Sequence, residues 1–420
     1  MSWIRSRHAD PAPHKAEARG SGLIEKLPPL ARRDTAVETA SDAGVLGESD
    51  REETIMRIAM LAPINWPLPP GGYGPWELVA HNLTEGLVAL GHDVTLFAAG
   101  GTESSARVIE TVPHALCTWP EDEKNRPQRF DPKTGLLEGP PDARVLEQLH
   151  IARCMEVAAG GAFDVVHSHL HVHALGYARL IPCPLITTLH GSAWVRATHA
   201  ALLEYRMNPF VSISDAERSM LPELNYEATV YNGVNMSQFP LETQKDDYLL
   251  FAGRLSPEKG PAEAVEIAQA SGRRLLIAGM IEPQHQAYFD QRIKPHIDGK
   301  NIEYLGLLSQ AELAPLYRKA AGVIFFINWC EPFGLVAVEA QASGTPLIAT
   351  RFGALPEIVR DGETGFLVDT VAEAVRATEK LAGLKPTACR ANVESRFSVE
   401  AMAAGYANVY EKASHATGSF

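Results

Sequence analysis

Short apolar runs recur through most of this chain, each followed by a stretch long enough for one helix, and that alternation limits the fold more than any other feature. RIAMLA at 57–62, DVTLFA at 93–98, DVVH at 164–167, PLITTL at 184–189 and PFVS at 209–212 form a first series. YLLFAG at 248–253, RLLIA at 274–278, IEYL at 302–305, GVIFFINW at 322–329, PLIA at 346–349 and TGFLV at 364–368 form a second. Runs this short and this uniformly apolar suit strands buried on both faces, as in a parallel sheet. The segment 76–90 spaces its apolar residues as a helix does, with Gly91 as its stop, and Pro261 opens a helix over 261–271. The expected architecture is α/β, two separately wound halves with a ligand cleft between them.

The boundaries follow from composition. Residues 1–55 mix charges, Pro, Gly and Ala without apolar periodicity, and read as a disordered tail. A first domain is expected over 56–233, ending at the Asn232-Gly233 turn, and a second over 234–398, after a linker-like stretch to Asp247. A last helix over 399–414, within a final segment 399–420, is expected to cross back onto the first half. Residues 119–145, rich in Pro and charge, read as a long surface loop. The net charge of −13 argues against a nucleic-acid surface and disfavours an anionic membrane. No apolar run is long enough to span a bilayer, and residues 1–55 lack the pattern of a secretory signal or transit peptide. Five scattered cysteines without a C-x-x-C suggest reduced thiols, so a cytoplasmic protein is expected.

The chemistry concentrates in E-P-F-G-L-V-A-V-E at 331–339, after the run 322–329. Pro332 keeps Glu331 extended, and Phe333-Gly334-Leu335 opens a helix whose first N–H groups have no partner within it. Those donors and the helix dipole favour an anion, which Gly334 lets approach the backbone closely. Glu331 stands at the mouth and Glu339 about a turn inside; the plainer alternative is a strand–loop–helix with two solvated acids. In G-R-L-S-P-E-K-G at 253–260, Arg254 and Lys259 offer fixed cations for a leaving diphosphate. The chain contains no D-x-D, so no paired-carboxylate metal clamp is expected; the plainer alternative has Lys259 paired with Glu258 on a solvated loop. Gly71-Gly72-Tyr73-Gly74 could admit a phosphate or sugar, or be an ordinary turn; Glu77 replaces the third glycine of a dinucleotide fingerprint. Tyr73 and Trp76 offer a stacking surface for an acceptor. His167, His169, His171 and His173 alternate as metal ligands on one strand face would, but without a flanking acid or cysteine. His190, in T-L-H-G, ends a buried run and can reach the cleft, and Gly306 could bring main-chain groups to a base.

Together these stretches resemble retaining glycosyltransferases of the two-domain GT-B type, in their large family 4, from Arg57 to about Ser414. The strongest marks are E-P-F-G-L-V-A-V-E, the family's E-x7-E element, and G-R-L-S-P-E-K-G; Y-N-G-V, S-G-T-P-L-I-A-T and G-E-T-G-F-L-V support them. The resemblance implies two Rossmann-like domains facing a cleft and a C-terminal helix crossing back. It implies that Glu331 holds donor hexose hydroxyls, with backbone at Phe333, Gly334 and Leu335 on sugar and phosphate, and Glu339 on the ribose. Arg254 and Lys259, beside Gly253, would hold the diphosphate; Gly306 and Leu307 would sit by the base. His190 would lie near the reaction centre. Gly72 and Gly74 would close on the phosphates, and Tyr73, Trp76 and His169 would shape the acceptor side. Members often read G-G-x-E where this chain has Gly74-Pro75-Trp76-Glu77, and Pro75 removes one N–H from that loop.

Y-G-P-W-E, D-D-Y-L-L-F-A-G-R-L-S-P-E-K-G and W-C-E-P-F-G-L-V are similar to a bacterial branch labelled UDP-glucose:tetrahydrobiopterin glucosyltransferases. What the resemblance implies is a metal-independent, retaining hexosyltransferase without a cofactor, taking UDP-glucose or another nucleotide sugar and an acceptor hydroxyl. A sugar-nucleotide epimerase of the same architecture, and a catalytically silent sugar-nucleotide or glycan-binding protein, are the alternatives.

Overall fold

The computed structural model describes residues 54–125, 127–132 and 136–417, so almost all of the expected tail lies outside the described residues. Seven parallel strands make the first sheet. They are β1 (Arg57–Leu61), β2 (Asp93–Ala99), β3 (Arg107–Val112), β6 (Val165–Ser168), β7 (Leu185–Leu189), β8 (Phe210–Ser212) and β9 (Tyr226–Thr229), in the order β3-β2-β1-β6-β7-β8-β9. Between β3 and β6 a short helix, Glu121–Lys124, and an antiparallel hairpin of β4 (Arg129–Asp131) and β5 (Leu136–Glu138) occupy the expected surface loop. The second sheet holds β10 (Tyr248–Ala252), β11 (Arg274–Ala278), β12 (Ile302–Tyr304), β13 (Gly322–Phe325), β14 (Leu347–Thr350) and β15 (Gly365–Val368), ordered β12-β11-β10-β13-β14-β15.

The order reverses at β1 in one sheet and at β10 in the other. Ile58 of β1 lies opposite Val94 on one side and Val165 on the other; Leu250 of β10 lies opposite Leu276 and Val323. Loops leaving the carboxyl ends at such a reversal diverge to opposite faces and open a crevice. Those loops carry 63–74 and His169 in the first sheet, and Arg254, Lys259 and Glu331 in the second.

β3 and β9 escape an apolar-run reading for a physical reason: they are edge strands with partly exposed residues, so RVIETV and YEAT carry no unbroken apolar stretch. β13 stops at Phe325, earlier than the apolar run 322–329 suggests. The following residues turn to the loop after β10 instead, where the Asn328 N–H donates to Glu258 O at 3.1 Å.

The helix Val399–Thr417 packs against the helix Pro75–Ala89, as expected. Met402, Ala403, Tyr406 and Tyr410 are fully or almost fully buried in the first sheet's core. Burial of one such large side chain contributes about 1.5–3 kcal/mol. Tyr410 OH lies 2.7 Å from His167 Nδ1, and Tyr406 OH 2.8 Å from Thr188 Oγ1, so the helix also fixes the strands leading to the cleft. Among the described residues no helix is long and apolar enough to cross a membrane.

Candidate active site

Glu331 is held by its backbone before its side chain does anything. The Ala354 N–H donates to Glu331 O at 3.0 Å, and Gly353, at φ +57°, lies so close that a Cβ there would stand 2.2 Å from that oxygen. No other residue type fits that turn without displacing Glu331. Gly334, at φ +103°, caps the helix Leu335–Ala342 and leaves its first N–H groups facing the cleft. Pro332 is anchored from the first lobe, since Ser214 Oγ donates to its carbonyl at 2.6 Å. Glu357 adds a second tie between lobes by accepting from the Asp215 and Ala216 N–H groups at 2.9 and 2.8 Å.

Lys259 does not pair with Glu258. Its Nζ lies 2.5 Å from Glu331 Oε2, and Trp329 Nε1 donates to the same oxygen at 2.8 Å. The ammonium also sits 4.6 Å from the centre of the Trp329 ring. With side chains only 14% and 12% exposed, this is a largely desolvated pair, in which losing one partner strands the other. Arg254 stands at the edge, 3.1 Å from Glu282 and 3.4 Å from Glu258. The two cations thus flank the helix start, each already steered by an acid.

Two connected spaces open here. One, about 160 Å³, is lined by Gly72, Tyr73 and Gly74 of the first lobe and by Gly253, Arg254, Leu307, Leu335 and Glu339 of the second. Burial raises the Glu339 carboxyl, opposed by the Gln310 amide, which donates to it at 2.9 Å. Gly306 does not line this space; its carbonyl instead accepts from the Gly279 N–H at 2.8 Å. The other space, about 270 Å³, is lined by Tyr73, Trp76, His190, Arg254, Lys259, Glu331, Phe333 and Gly334. Tyr73, Gly253, Arg254 and Leu335 border both, so the two form one passage between the lobes.

The histidines separate by role. β6 ends at Ser168, so their alternation does not continue along one strand, and His171 takes a positive φ of 52°. His167 is bonded through both ring nitrogens, to Thr188 and Tyr410, and burial lowers it to about 3. His169 is fully buried behind His190, with its Nδ1 2.9 Å from His190 Nε2, and lines neither space. Burial first, then neighbouring imidazoles (His167 and His171 for His169, His169 and His171 for His190), holds both well below the ordinary range, so His190 meets the cleft as a neutral ring. Among the described residues no group of three His, Cys, Asp or Glu side chains is placed to hold a metal.

Gln310 and Glu217 escape motif reading, and so does the role of Trp329, which stands beside the key acid in W-C-E-P-F-G-L-V but looks like the end of a strand. Glu217, fully buried, accepts from the N–H groups of Gly191 and Ile213 and so fixes the turn after His190. Burial pushes its carboxyl from 4.5 up to about 8. The folded form therefore keeps a proton that the unfolded chain releases near pH 4.5, and stability falls as pH rises from there to about 8. The expected slope is on the order of 1 kcal/mol per pH unit at most, and Glu217→Gln should remove it. Urea denaturation of both proteins across that range checks this; equal slopes would show that Glu217 is ionised in the fold.

Comparison with known proteins agrees with this geometry on both sides of the cleft. Residues 77–238 match the model of Glycosyltransferase Family 4, and residues 235–388 that of Glycosyl transferases group 1. A glycogen synthase of Mycobacterium tuberculosis is 28% identical over 407 residues, covering 84% of this chain and 94% of its own. A D-inositol 3-phosphate glycosyltransferase of Streptomyces scabiei is 29% identical over 426 residues, covering 86% and 92%. The Anabaena protein HepE, solved in complex with UDP-glucose, superposes with a TM-score of 0.61 at 18% identity, covering 85% of this chain and all (100%) of its own. The chain belongs to the family 4 glycosyltransferases and has their GT-B fold.

Proposed function

We propose that this enzyme moves glucose from UDP-glucose to an acceptor hydroxyl, with retention at the anomeric carbon and without a metal or cofactor. The observation that carries the reading is the single passage in which Arg254, Lys259 and a free helix start adjoin Glu331, with Glu339 at its far end. A nucleoside diphosphate sugar matches that order. The base lies by Leu307, the ribose on Glu339, the diphosphate over Gly334–Leu335 between the two cations, and the hexose hydroxyls on Glu331. HepE, of the same fold, is solved with UDP-glucose, and the branch similar at Y-G-P-W-E and W-C-E-P-F-G-L-V supports the same donor. The first lobe, 56–233, then takes the acceptor and the second, 234–398, the donor, with 399–420 returning to the first.

Among the residues lining the reaction space Glu331 is the one carboxylate, and it is engaged by Lys259 and Trp329. A double displacement through an enzyme nucleophile therefore has no free acid to use. The bond from the anomeric carbon to the diphosphate breaks while the acceptor oxygen bonds from the same face. The departing phosphate oxygen takes the acceptor's proton. The two cations and the helix start stabilise the charge growing on that phosphate, the term that usually contributes most to such a step.

Titration with UDP, GDP and ADP tests the donor. UDP at a hundred times its Kd should stabilise the fold by about 2.7 kcal/mol, and transfer should persist in EDTA. Preference for GDP or ADP would overturn the choice of base, and loss of turnover in EDTA the metal-free route.

A further inference from the structure

A third space, about 620 Å³, continues from the reaction space past Trp76, His190, Trp329 and Pro332. Its walls are three indoles: Trp76 and Trp194 from the first lobe and Trp329 from the second. Trp194 and Trp329 meet edge to face with ring centres 6.2 Å apart. Val172, Val195 and Met220 add apolar surface, and beside His171, His173, His190, Ser192, Thr198 and Cys330 the lining contains no Asp, Glu, Asn, Gln, Lys or Arg. Its one ion-pairing group, His173, is already 2.7 Å from Glu147.

That lining suits little of what the relatives act on. A glycan or inositol ring brings a hydroxyl on most carbons, and each one desolvated without a partner costs on the order of 1–3 kcal/mol. A phosphate asks for a cation, and the lining has none to spare. A pterin's N–C–N edge asks for an acid or amide, also missing from the lining. Aromatic faces and short aliphatic side chains instead favour a flat, uncharged ring system. Three polar atoms of residues in the wall, His171 Nδ1, Ser192 Oγ and the Trp194 indole N–H, are buried without a hydrogen-bond partner.

We propose that the acceptor is a neutral, planar alcohol or phenol, seated against Trp194 and Trp329 with its hydroxyl turned toward His190. The inference rests on the transferase reading above and adds its acceptor class. Trp329 couples the seat to the donor, because the indole that walls the acceptor space also donates to Glu331. The acceptor oxygen and the sugar-holding acid are thereby placed on two sides of one side chain.

Equilibrium binding to the full chain saturated with UDP tests it. The probes are 2-naphthol, 4-methylumbelliferone and resveratrol, against maltotetraose, myo-inositol 1-phosphate and biopterin. At least one phenol should bind more tightly than all three polar probes, and Trp194→Ala should weaken it about tenfold or more, as loss of a stacking partner and its apolar area implies. Trp194→Phe should recover most of that loss. Val195→Asp, at a position 49% exposed on the rim, should weaken phenols by charging the wall and serves if the alanine variant fails to fold. The proposal falls if no phenol binds, if a polar probe binds more tightly, or if neither Trp194→Ala nor Val195→Asp matters. UDP titrated alone separates the two readings. With UDP bound and no phenol bound, only the acceptor class fails; with no UDP binding, the transferase reading fails first.

Discussion

Replacing Lys259 by alanine should lower turnover about 10²–10³-fold, the usual loss when one donor to a developing negative charge is removed. The effect should exceed that of Arg254→Ala, because the two cations are placed differently. Arg254 lies at the cleft edge between Glu258 and Glu282, whereas Lys259 is half-buried against Glu331 and Trp329. Lys259 does two things at once. On the proposed reading it would offer positive charge to the diphosphate, and it neutralises the acid that would otherwise repel that diphosphate from a short distance. Without it, Glu331 keeps only the Trp329 N–H on the oxygen they share, in a setting with little water. UDP affinity should therefore drop along with kcat. Lys259→Arg should recover part of the binding and little of the rate, since a planar fork cannot replace a compact ammonium 2.5 Å from the carboxylate. Steady-state kinetics with a UDP titration on each variant would show it. A fall in kcat with unchanged UDP affinity would mean that Lys259 does not shield Glu331.

Much of this site was legible in the chain because it sits where pattern and chemistry coincide. The loops after β10 and β13 follow apolar runs and carry Arg254, Lys259 and Glu331 within short motifs, and the structure lines one space with all three. Who pairs with whom was not legible. Lys259 has an acid next to it in sequence, yet β13 ends early at Phe325, the loop after it bonds to the loop after β10, and Lys259 meets Glu331 instead. Local sequence does not encode such a lateral contact. The histidines mislead for a related reason. Their alternation suggests one strand face, but β6 ends after Ser168; His167, His169 and His173 bond to different partners, and His171 packs edge-on against Trp76. Trp194 and Trp329 are far apart in sequence, and no local pattern joins them, so the aromatic wall exists only once the lobes face each other. The edge strands β3 and β9 were hidden because partial exposure removes the apolar signature that gave the central strands away.

Glu331→Ala should abolish transfer, by a factor of about 10³ or more, while leaving the nucleotide bound. The position of the carboxylate makes the two effects separable. Glu331 engages Lys259 and, on the proposed reading, would orient the hexose, but Leu307 and Glu339, where that reading puts the nucleotide, lie in the neighbouring space. Removing the acid frees the Lys259 ammonium from its closest competitor for a phosphate. UDP should therefore bind the variant at least as tightly as the wild type, although a stabilising ion pair has been lost. UDP-glucose should gain less than UDP does, since its sugar hydroxyls lose their acceptor. The fold should survive, because the backbone of residue 331 is fixed by Gly353 and Ala354 rather than by its side chain, and Lys259 remains 14% exposed and able to reach water. Calorimetric titration with UDP and with UDP-glucose, beside a transfer assay and a thermal melt, checks each part. Turnover at the wild-type rate would remove Glu331 from the mechanism, and weaker UDP binding would show that the carboxylate organises Lys259 for the phosphate instead of competing with it.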